Sequence, residues 1–451
     1  MNLEIVVLAA GKGTRMRSKK PKVLHKLAGK PMLQHVLDNA EQLSPTNVTI
    51  VYGYGGDQVQ KEIRSKRITW VEQLEQKGTG HAVAQALPEL TDDSKVLVLY
   101  GDVPLISTQT LEGLLDKVHS GNSIAVLTCE LDNPTGYGRM VRDGAGLVIG
   151  IVEQKDASQE QQLISEINTG IMVIPAALLK KWIPELSSEN AQGEYYLTDI
   201  IAMAARQQID IHTHQPASVY EIEGINSRSQ LAKLERVHQL ELCERHMDQG
   251  VTFIDPARVD IRGDLTTGTD ITVDINVVFE GKVVLGDNVE IGPNCVIKDA
   301  VIGDDTQIHA NSVIDHAIVS TGCSVGPFAR LRPQAELAAG ARVGNFVEVK
   351  KSYIGVGSKV SHLSYIGDAT LGDRVNVGAG TITCNYDGKN KFKTVMEDDV
   401  FIGSNSALVA PVTISSGSTV AAGSTITKNV PNSSLAIARA KQKNIEGWKK
   451  P

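Results

Sequence analysis

The chain has 451 residues and a net charge of −7 with 45 Lys plus Arg, so recognition of nucleic acid would need a local basic patch rather than the average charge. At roughly 150 residues per domain the length suggests about three domains, or two of which one is elongated. Aromatics make up only 4% while Gly reaches 41 residues, which excludes an aromatic-rich core running through the whole chain.

The first 227 residues alternate strand-like and helix-like pieces. Leu3 to Ala10, Val48 to Val51, Val96 to Tyr100 and Ser123 to Thr128 are short apolar runs, as in buried strands of a mostly parallel sheet. Met32 to Leu43 and Leu111 to Val118 are helical candidates between them, giving a βαβα order and an α/β class. Ser229 to Gly250 then reads as one helix, with Leu231, Leu234, Val237 and Leu240 at three-residue steps and Gly250 as its stop. At 1.5 Å per residue it spans roughly 30 Å, enough for an arm between two domains.

Residues 251 to 430 hold no Trp and 42 Val plus Ile against 7 Leu, whereas residues 1 to 227 hold 38 against 24. β-branched residues suit strands and Leu suits helices, so a helical bundle is excluded for the second half. An aliphatic residue followed by a small or polar one returns about every six positions: Leu285-Gly286, Ile291-Gly292, Ile297-Lys298, Ile302-Gly303, Ile308-His309 and Ile314-Asp315. After one irregular step it resumes at Val325-Gly326 and continues through Val343-Gly344, Val360-Ser361 and Val377-Gly378 to Ile426-Thr427. This is the hexapeptide signature of a parallel β-helix, in which each aliphatic side chain fills a narrow interior and the next residue sits at a corner. Three such strands make a coil of about 18 residues, so residues 259 to 430 form about nine or ten coils of a triangular prism. Residues Thr383 to Thr394 break the period and read as a loop leaving the prism.

The five cysteines are scattered, odd in number and never in CxxC spacing, which argues against a disulfide framework or a zinc site and for a reducing compartment. The apolar start of the chain is shorter than a signal segment and carries Glu4, and no 18-residue apolar run follows. A cytoplasmic protein without membrane insertion is expected.

At the end of the first strand stands Leu8-Ala9-Ala10-Gly11-Lys12-Gly13-Thr14-Arg15-Met16, followed by Pro21-Lys22. Glycines at a strand end let backbone N–H groups approach a phosphate, and Arg15 and Lys22 add two cations where a triphosphate would lie. The run is neither GxGxxG nor GxxxxGK[ST], so by itself it also fits a tight turn with solvated cations. The stretch LAAGKGTRMRSKKPK resembles the signature of sugar-phosphate nucleotidyltransferases. With Gln73, Gly78-Thr79, Tyr100-Gly101-Asp102, Gly136-Tyr137-Gly138-Arg139, Glu153, Asn168, Asn226 and the hexapeptide half, the whole chain resembles bacterial enzymes that combine N-acetylglucosamine-1-phosphate uridyltransferase with glucosamine-1-phosphate acetyltransferase.

That resemblance implies an α/β nucleotidyltransferase domain (Rossmann-like mixed sheet) over 1-227, a helical linker over 228-250 and a left-handed parallel β-helix acetyltransferase domain with a C-terminal tail over 251-451. It implies that Leu8, Ala9, Ala10, Gly11, Gln73, Gly78 and Thr79 hold the uracil and ribose side of UTP, with Tyr100 and Gly101 beside them. It puts Gly138, Glu153 and Asn168 on the N-acetylglucosamine moiety and Asp102 with Asn226 on Mg²⁺, while Arg15 and Lys22 neutralise charge during transfer of UMP and departure of pyrophosphate. Left to themselves, Asp102 also fits a turn carboxylate and Glu153 a solvated one.

In the second half the resemblance makes His362 the base that takes a proton from the amine attacking a thioester, work suited to a group titrating near neutrality. Arg332, Lys350, Tyr365 and Asn376 would bind glucosamine 1-phosphate; the first two are cations at corner positions that normally take a small residue. Ala379, Asn385, Tyr386, Ser404, Ala422 and Arg439 would line the acetyl-CoA site, and Asn385 and Tyr386 fall in the loop that interrupts the repeat. The basic stretch from Arg439 to Lys443 fits either CoA phosphates or a solvated tail. A homotrimer with acyl-CoA between prisms is implied, as is a place in UDP-N-acetylglucosamine supply for peptidoglycan and lipopolysaccharide. Two other readings are a single-activity nucleotidyltransferase whose prism only oligomerises, and a non-catalytic scaffold; the intact Arg15, Lys22 and Asp102 argue against the second.

Overall fold

A computed structural model describes residues 2–65, 67–119 and 121–450. The outermost residues of the two expected domains, Met1 and Pro451, therefore lie outside the described residues. The chain divides into two compact units, Met1–Val237 and His238–Pro451.

The first unit is built on a nine-stranded sheet whose main path runs Asp210–His214, Ser123–Glu130, Glu166–Pro175, Ser94–Tyr100, Asn2–Ala9, Asn47–Tyr52, Ile68–Glu72. The strands from Ser94–Tyr100 to Ile68–Glu72 are parallel, as runs such as Ile5-Val6-Val7-Leu8, buried on both faces, require. Glu166–Pro175 is antiparallel to both neighbours, so the sheet is mixed rather than mostly parallel throughout. That strand also pairs with Gly138–Arg142, which carries the antiparallel partner Val148–Val152 and extends the sheet beside the central strand ends. Helices Met32–Gln42 and Thr108–Leu115 bury Leu33, Val36, Leu37, Leu111 and Leu114 against one face of the sheet. Helices Thr79–Ala86, Ala176–Trp182 and Asp199–Arg206 cover the other.

The expected linker helix runs over Arg228–Met247, ending three residues before the predicted stop. Its leucines do not form one stripe. Steps of three fall 60° short of a full turn, so Leu231 and Leu240 point to opposite sides. Leu234 is buried with Leu27, Met32 and Ile225 in the first unit, while Leu240 is 40% exposed. In the second unit the buried partner is a polar one: Gln239 accepts from Ile261 N at 2.7 Å and donates to Ile261 O at 3.0 Å.

The second unit is a parallel β-helix. One face is an eleven-stranded sheet and the other strands form a seventeen-stranded sheet, every pair parallel. Ile291, Ile308, Val325, Val343, Val360, Val377, Ile402 and Val420 stand in register through successive coils, each almost fully buried. Burial of each such side chain contributes roughly 1.5–3 kcal/mol. Neighbours across one coil are 17 or 18 residues apart, rising to 25 where the predicted loop leaves the prism.

The small corner residues have a steric cause. A Cβ on Gly344 would lie 2.0 Å from the Ser361 carbonyl oxygen of the next coil. A second set of corners is not small: Asn294, Asn311, Phe328, Phe346, Leu363 and Asn405 all have positive φ. Asn tolerates that conformation through its short polar side chain, but Phe and Leu there are unusual.

Among the described residues, no helix is long and apolar enough to cross a membrane.

Candidate functional site

In the first unit the strand Asn2–Ala9 runs into the glycine loop, whose first residues form one wall of a cavity of about 260 Å³. Leu8, Ala9, Ala10, Gly11, Lys22, Gln73, Gly78, Thr79, Tyr100 and Asp102 all line it, although they come from four separated stretches of sequence. Gly13, at φ 59, is needed where it stands, because a Cβ there would meet Lys22 Cβ at 2.6 Å. A Cβ on Gly11 would meet nothing within 4 Å, so that glycine leaves the cavity wall open to a close approach from outside the protein.

Gln73 is buried and donates from Nε2 to the Gly78 carbonyl at 3.3 Å, and the same nitrogen lies 3.0 Å from His81 Nδ1. Gly78 starts the helix Thr79–Ala86 at φ 108, and a Cβ there would strike the Tyr195 carbonyl oxygen at 2.6 Å. Thr79 Oγ1 accepts from Leu197 N at 3.1 Å, which ties the helix start to the chain after Glu194.

Gly101 and Asp102 form the turn after the strand Ser94–Tyr100. The Ile225 amide donates to the Asp102 carbonyl at 2.9 Å and so brings Asn226 alongside. Lys22 closes the group: its Nζ is ion-paired with Asp102 Oδ2 and donates to Asn226 Oδ1 at 3.0 Å.

Beyond Tyr100 lies the second cluster. Gly138 and Asn168 are register partners, and an atom added at Gly138 would sit 3.4 Å from the Glu153 carboxylate. Glu153 accepts from Thr198 Oγ1 at 2.9 Å. Burial pushes its carboxyl above the usual range; the Thr198 hydroxyl opposes this, and Asp199, Asp156 and Glu194 add to it. Asn168 Oδ1 accepts from Gly170 N at 3.0 Å, and the Tyr100 ring packs where a Gly170 side chain would be. Burial, with the fields of Glu153 and Asp102, pushes the Tyr100 hydroxyl far up. It stays neutral between the two clusters.

Arg15 is the exception. It stands exposed in a short 3-10 turn, outside the cavity wall and without a polar side-chain partner among the described residues. Gln76, Val23, Ala82 and Glu194 line the cavity without having been singled out. None has a local sequence signal, since each arrives by packing of distant segments.

In the second unit His362 ends the strand Lys359–His362 and is exposed, with Nδ1 2.5 Å from Asn345 Oδ1 of the preceding coil. Arg332 is paired with Glu348 at 2.7 Å. Lys350 is paired with Asp368 at 3.1 Å, and Asp368 also accepts from the Asn385 amide. Burial opposes ionisation of Asp368, but Lys350 and Asn385 hold its carboxyl below the usual range. Tyr365 is the register partner of Glu348, which puts Lys350 and Tyr365 on one sheet, with Arg332 directly after that sheet's strand Arg330–Leu331. Asn376 lies on the other, between Lys359 and Phe401.

Ala379, Ser404 and Ala422 follow one another up a corner: Asn405 N donates to Ala379 O at 2.7 Å and Gly423 N to Ser404 O at 2.8 Å. Arg439 donates to Ala422 O at 2.6 Å, so the tail begins against that column. Tyr386 is 59% exposed in the loop. The partners Asn345 and Asp368 were missed, yet lie 17 and 18 residues from His362 and Lys350, a spacing the repeat itself supplies.

Residues 5–189 match the MobA-like NTP transferase domain, 261–335 the GMPPB C-terminal domain and 393–428 the hexapeptide repeat of succinyl-transferase. Over its full length the chain is 57% identical across 449 residues to the bifunctional protein GlmU of Marinobacter nauticus, covering 99% of that protein. The chain belongs to the bifunctional GlmU family. The GlmU proteins of Idiomarina loihiensis and Pseudomonas entomophila are likewise 58% and 57% identical over 451 residues, covering 100% of this chain and 99% of each relative. A solved UDP-glucose pyrophosphorylase complexed with UDP-glucose matches 53% of this chain and 98% of its own at 16% identity and a TM-score of 0.45, too loose a likeness to bear on the assignment. As a GlmU family member the protein is a bifunctional enzyme, a glucosamine-1-phosphate acetyltransferase and a uridyltransferase that makes UDP-N-acetylglucosamine.

Proposed function

We propose that the two GlmU reactions are divided between the two units, uridyl transfer over 1-227 and acetyl transfer over 251-451, with the residues named above in the roles their chemistry suits. The observation that carries the first half is the convergence of Leu8–Gly11, Lys22, Gln73, Gly78, Thr79, Tyr100 and Asp102 on one cavity.

In uridyl transfer a phosphate oxygen of N-acetylglucosamine 1-phosphate attacks the α-phosphorus of UTP, the bond to the bridging oxygen breaks and pyrophosphate leaves. Gln73 and the Gly78-Thr79 helix start hold the base side, and the open wall at Gly11 admits the nucleotide. Glu153, Asn168 and Gly138 hold the sugar, Glu153 accepting from its hydroxyls. Lys22 supplies positive charge beside the phosphates, and Arg15 reaches in from the exposed turn. Asp102 Oδ2 and Asn226 Oδ1 both approach one point, the Lys22 ammonium, so two oxygens fit a divalent ion there. Mg²⁺ keeps several waters and phosphate oxygens among its ligands, so a site with two protein oxygens suits it. Bound there it would neutralise charge on the triphosphate.

In acetyl transfer His362 Nε2 takes a proton from the amine of glucosamine 1-phosphate as that nitrogen attacks the thioester carbonyl; the C–S bond breaks and CoA leaves as thiol. Arg332 and Lys350 with Tyr365 hold the phosphate, and the column Ala379, Ser404, Ala422 with Asn385, Tyr386 and Arg439 faces acetyl-CoA. Asn376 stands on a different sheet from Lys350 and from the strand that Arg332 follows, which supports a site completed by neighbouring prisms in a homotrimer. A monomeric mass with full acetyl transfer would refute the trimer. Five cysteines, none of them in a disulfide, favour a cytoplasmic setting.

Mass analysis of the products of UTP, acetyl-CoA and glucosamine 1-phosphate incubated with the protein and Mg²⁺ tests the pair of reactions. UDP-N-acetylglucosamine, pyrophosphate and CoA are expected in equal amounts, and their absence would refute the reading.

A further inference from the structure

The cation that meets Asp102 and Asn226 in this structure belongs to the protein. Lys22 Nζ is ion-paired with Asp102 Oδ2 and lies 3.0 Å from Asn226 Oδ1, and the Lys22 and Asp102 side chains are only 11% and 17% exposed. Two oxygens converging on one ammonium mark one position, and like charges forced together in a shielded pocket repel strongly. A carboxylate so far withdrawn from water is costly without a cation, and the lysine supplies one.

We infer that Lys22 is a resident counter-ion and that a divalent ion enters the site by exchange with it. The inference rests on Asp102 and Asn226 being the ion's ligands. The displaced ammonium has somewhere to go, because Lys22 also lines the nucleotide cavity, where its charge lies beside the proposed position of the phosphates. Its stem passes directly over Gly13, which has no Cβ to block a swing. Metal entry and phosphate binding are therefore coupled through one side chain: phosphates give the released lysine a new partner, and without them the lysine competes for the metal's ligands.

The test measures binding of Mn²⁺, as a probe for Mg²⁺, by the paramagnetic resonance signal of free Mn²⁺ in nucleotide-free full-length protein. Wild type is compared with Lys22→Met, Lys22→Gln, Lys12→Met and Asp102→Asn. Lys12 carries the same charge in the same loop but is exposed and makes no ion pair among the described residues. Exchange predicts that Lys22→Met and Lys22→Gln bind Mn²⁺ about tenfold or more tightly than wild type, the scale of one unit charge removed from contact. Lys12→Met should stay within about twofold, because an exposed charge is screened. In thermal melts, Mn²⁺ should raise the transition of Lys22→Met more than that of wild type. Equal or weaker binding by both Lys22 variants, or an equal gain in Lys12→Met, would overturn the exchange. Wild-type Mn²⁺ binding by Asp102→Asn would instead overturn the ligand assignment itself, which separates the two failures.

Discussion

The side-chain oxygen of Asn345 lies 2.5 Å from Nδ1 of His362, its register partner on the next coil of the prism. With that oxygen accepting, Nδ1 carries the hydrogen and Nε2 is left bare as a base. Asn345→Ala should lower kcat for acetyl transfer, by less than the ~10²–10⁴-fold that a general base is worth, with uridyl transfer unchanged. Asn345→Asp should retain more activity and shift the acid limb of the kcat/KM profile to higher pH, since a carboxylate beside the ring favours the imidazolium. An unshifted profile in the Asp variant would contradict this role.

Glu153 gives the pH behaviour of the other site. Burial holds its carboxyl above the range of the unfolded chain. The native state therefore binds more protons than the unfolded state between the two values, and stability falls as pH rises through the folded one. Glu153→Gln, which keeps an acceptor for Thr198, should melt at a higher temperature than wild type near neutral pH and lose that advantage below the ordinary carboxylate range. Wild-type KM for N-acetylglucosamine 1-phosphate should rise on acidification earlier than an ordinary carboxylate would make it. Scanning calorimetry and initial rates across pH measure the two effects.

Gly344 tests the corner argument. Its Cβ would fall 2.0 Å from the Ser361 carbonyl oxygen, beside His362, so Gly344→Ala should destabilise the prism by about 1–3 kcal/mol and lower acetyl transfer. Gly357 has φ +64 with nothing within 4 Å, and Gly357→Ala should cost only about 1 kcal/mol, from the backbone alone. Denaturant unfolding of the two variants side by side checks the order.

The prism was legible in the sequence because its interior is one residue wide. A single aliphatic position repeats, and a one-dimensional pattern survives in a linear text. The sheet of the first unit was legible only strand by strand; that Glu166–Pro175 runs antiparallel depends on long-range pairing, which no local pattern encodes. Corners at Phe328 and Phe346 were unforeseen because bulky residues at positive φ run against local preference; their rings stack at 5.2 Å between centroids. The candidate site residues are legible only through the resemblance to the family signature. Their partners, Asn345 for His362, Thr198 for Glu153 and Lys22 for Asp102, were not paired in advance, because the bonds cross between segments. Only the coil partners had a usable signal, the spacing of 17 or 18.

If the two chemistries work independently on one chain, assays of both activities in folded His362→Ala and Asp102→Ala separate them. His362→Ala should lose acetyl transfer and keep uridyl transfer from supplied N-acetylglucosamine 1-phosphate, and Asp102→Ala should do the reverse. Equal loss of both activities in either folded variant would contradict the division.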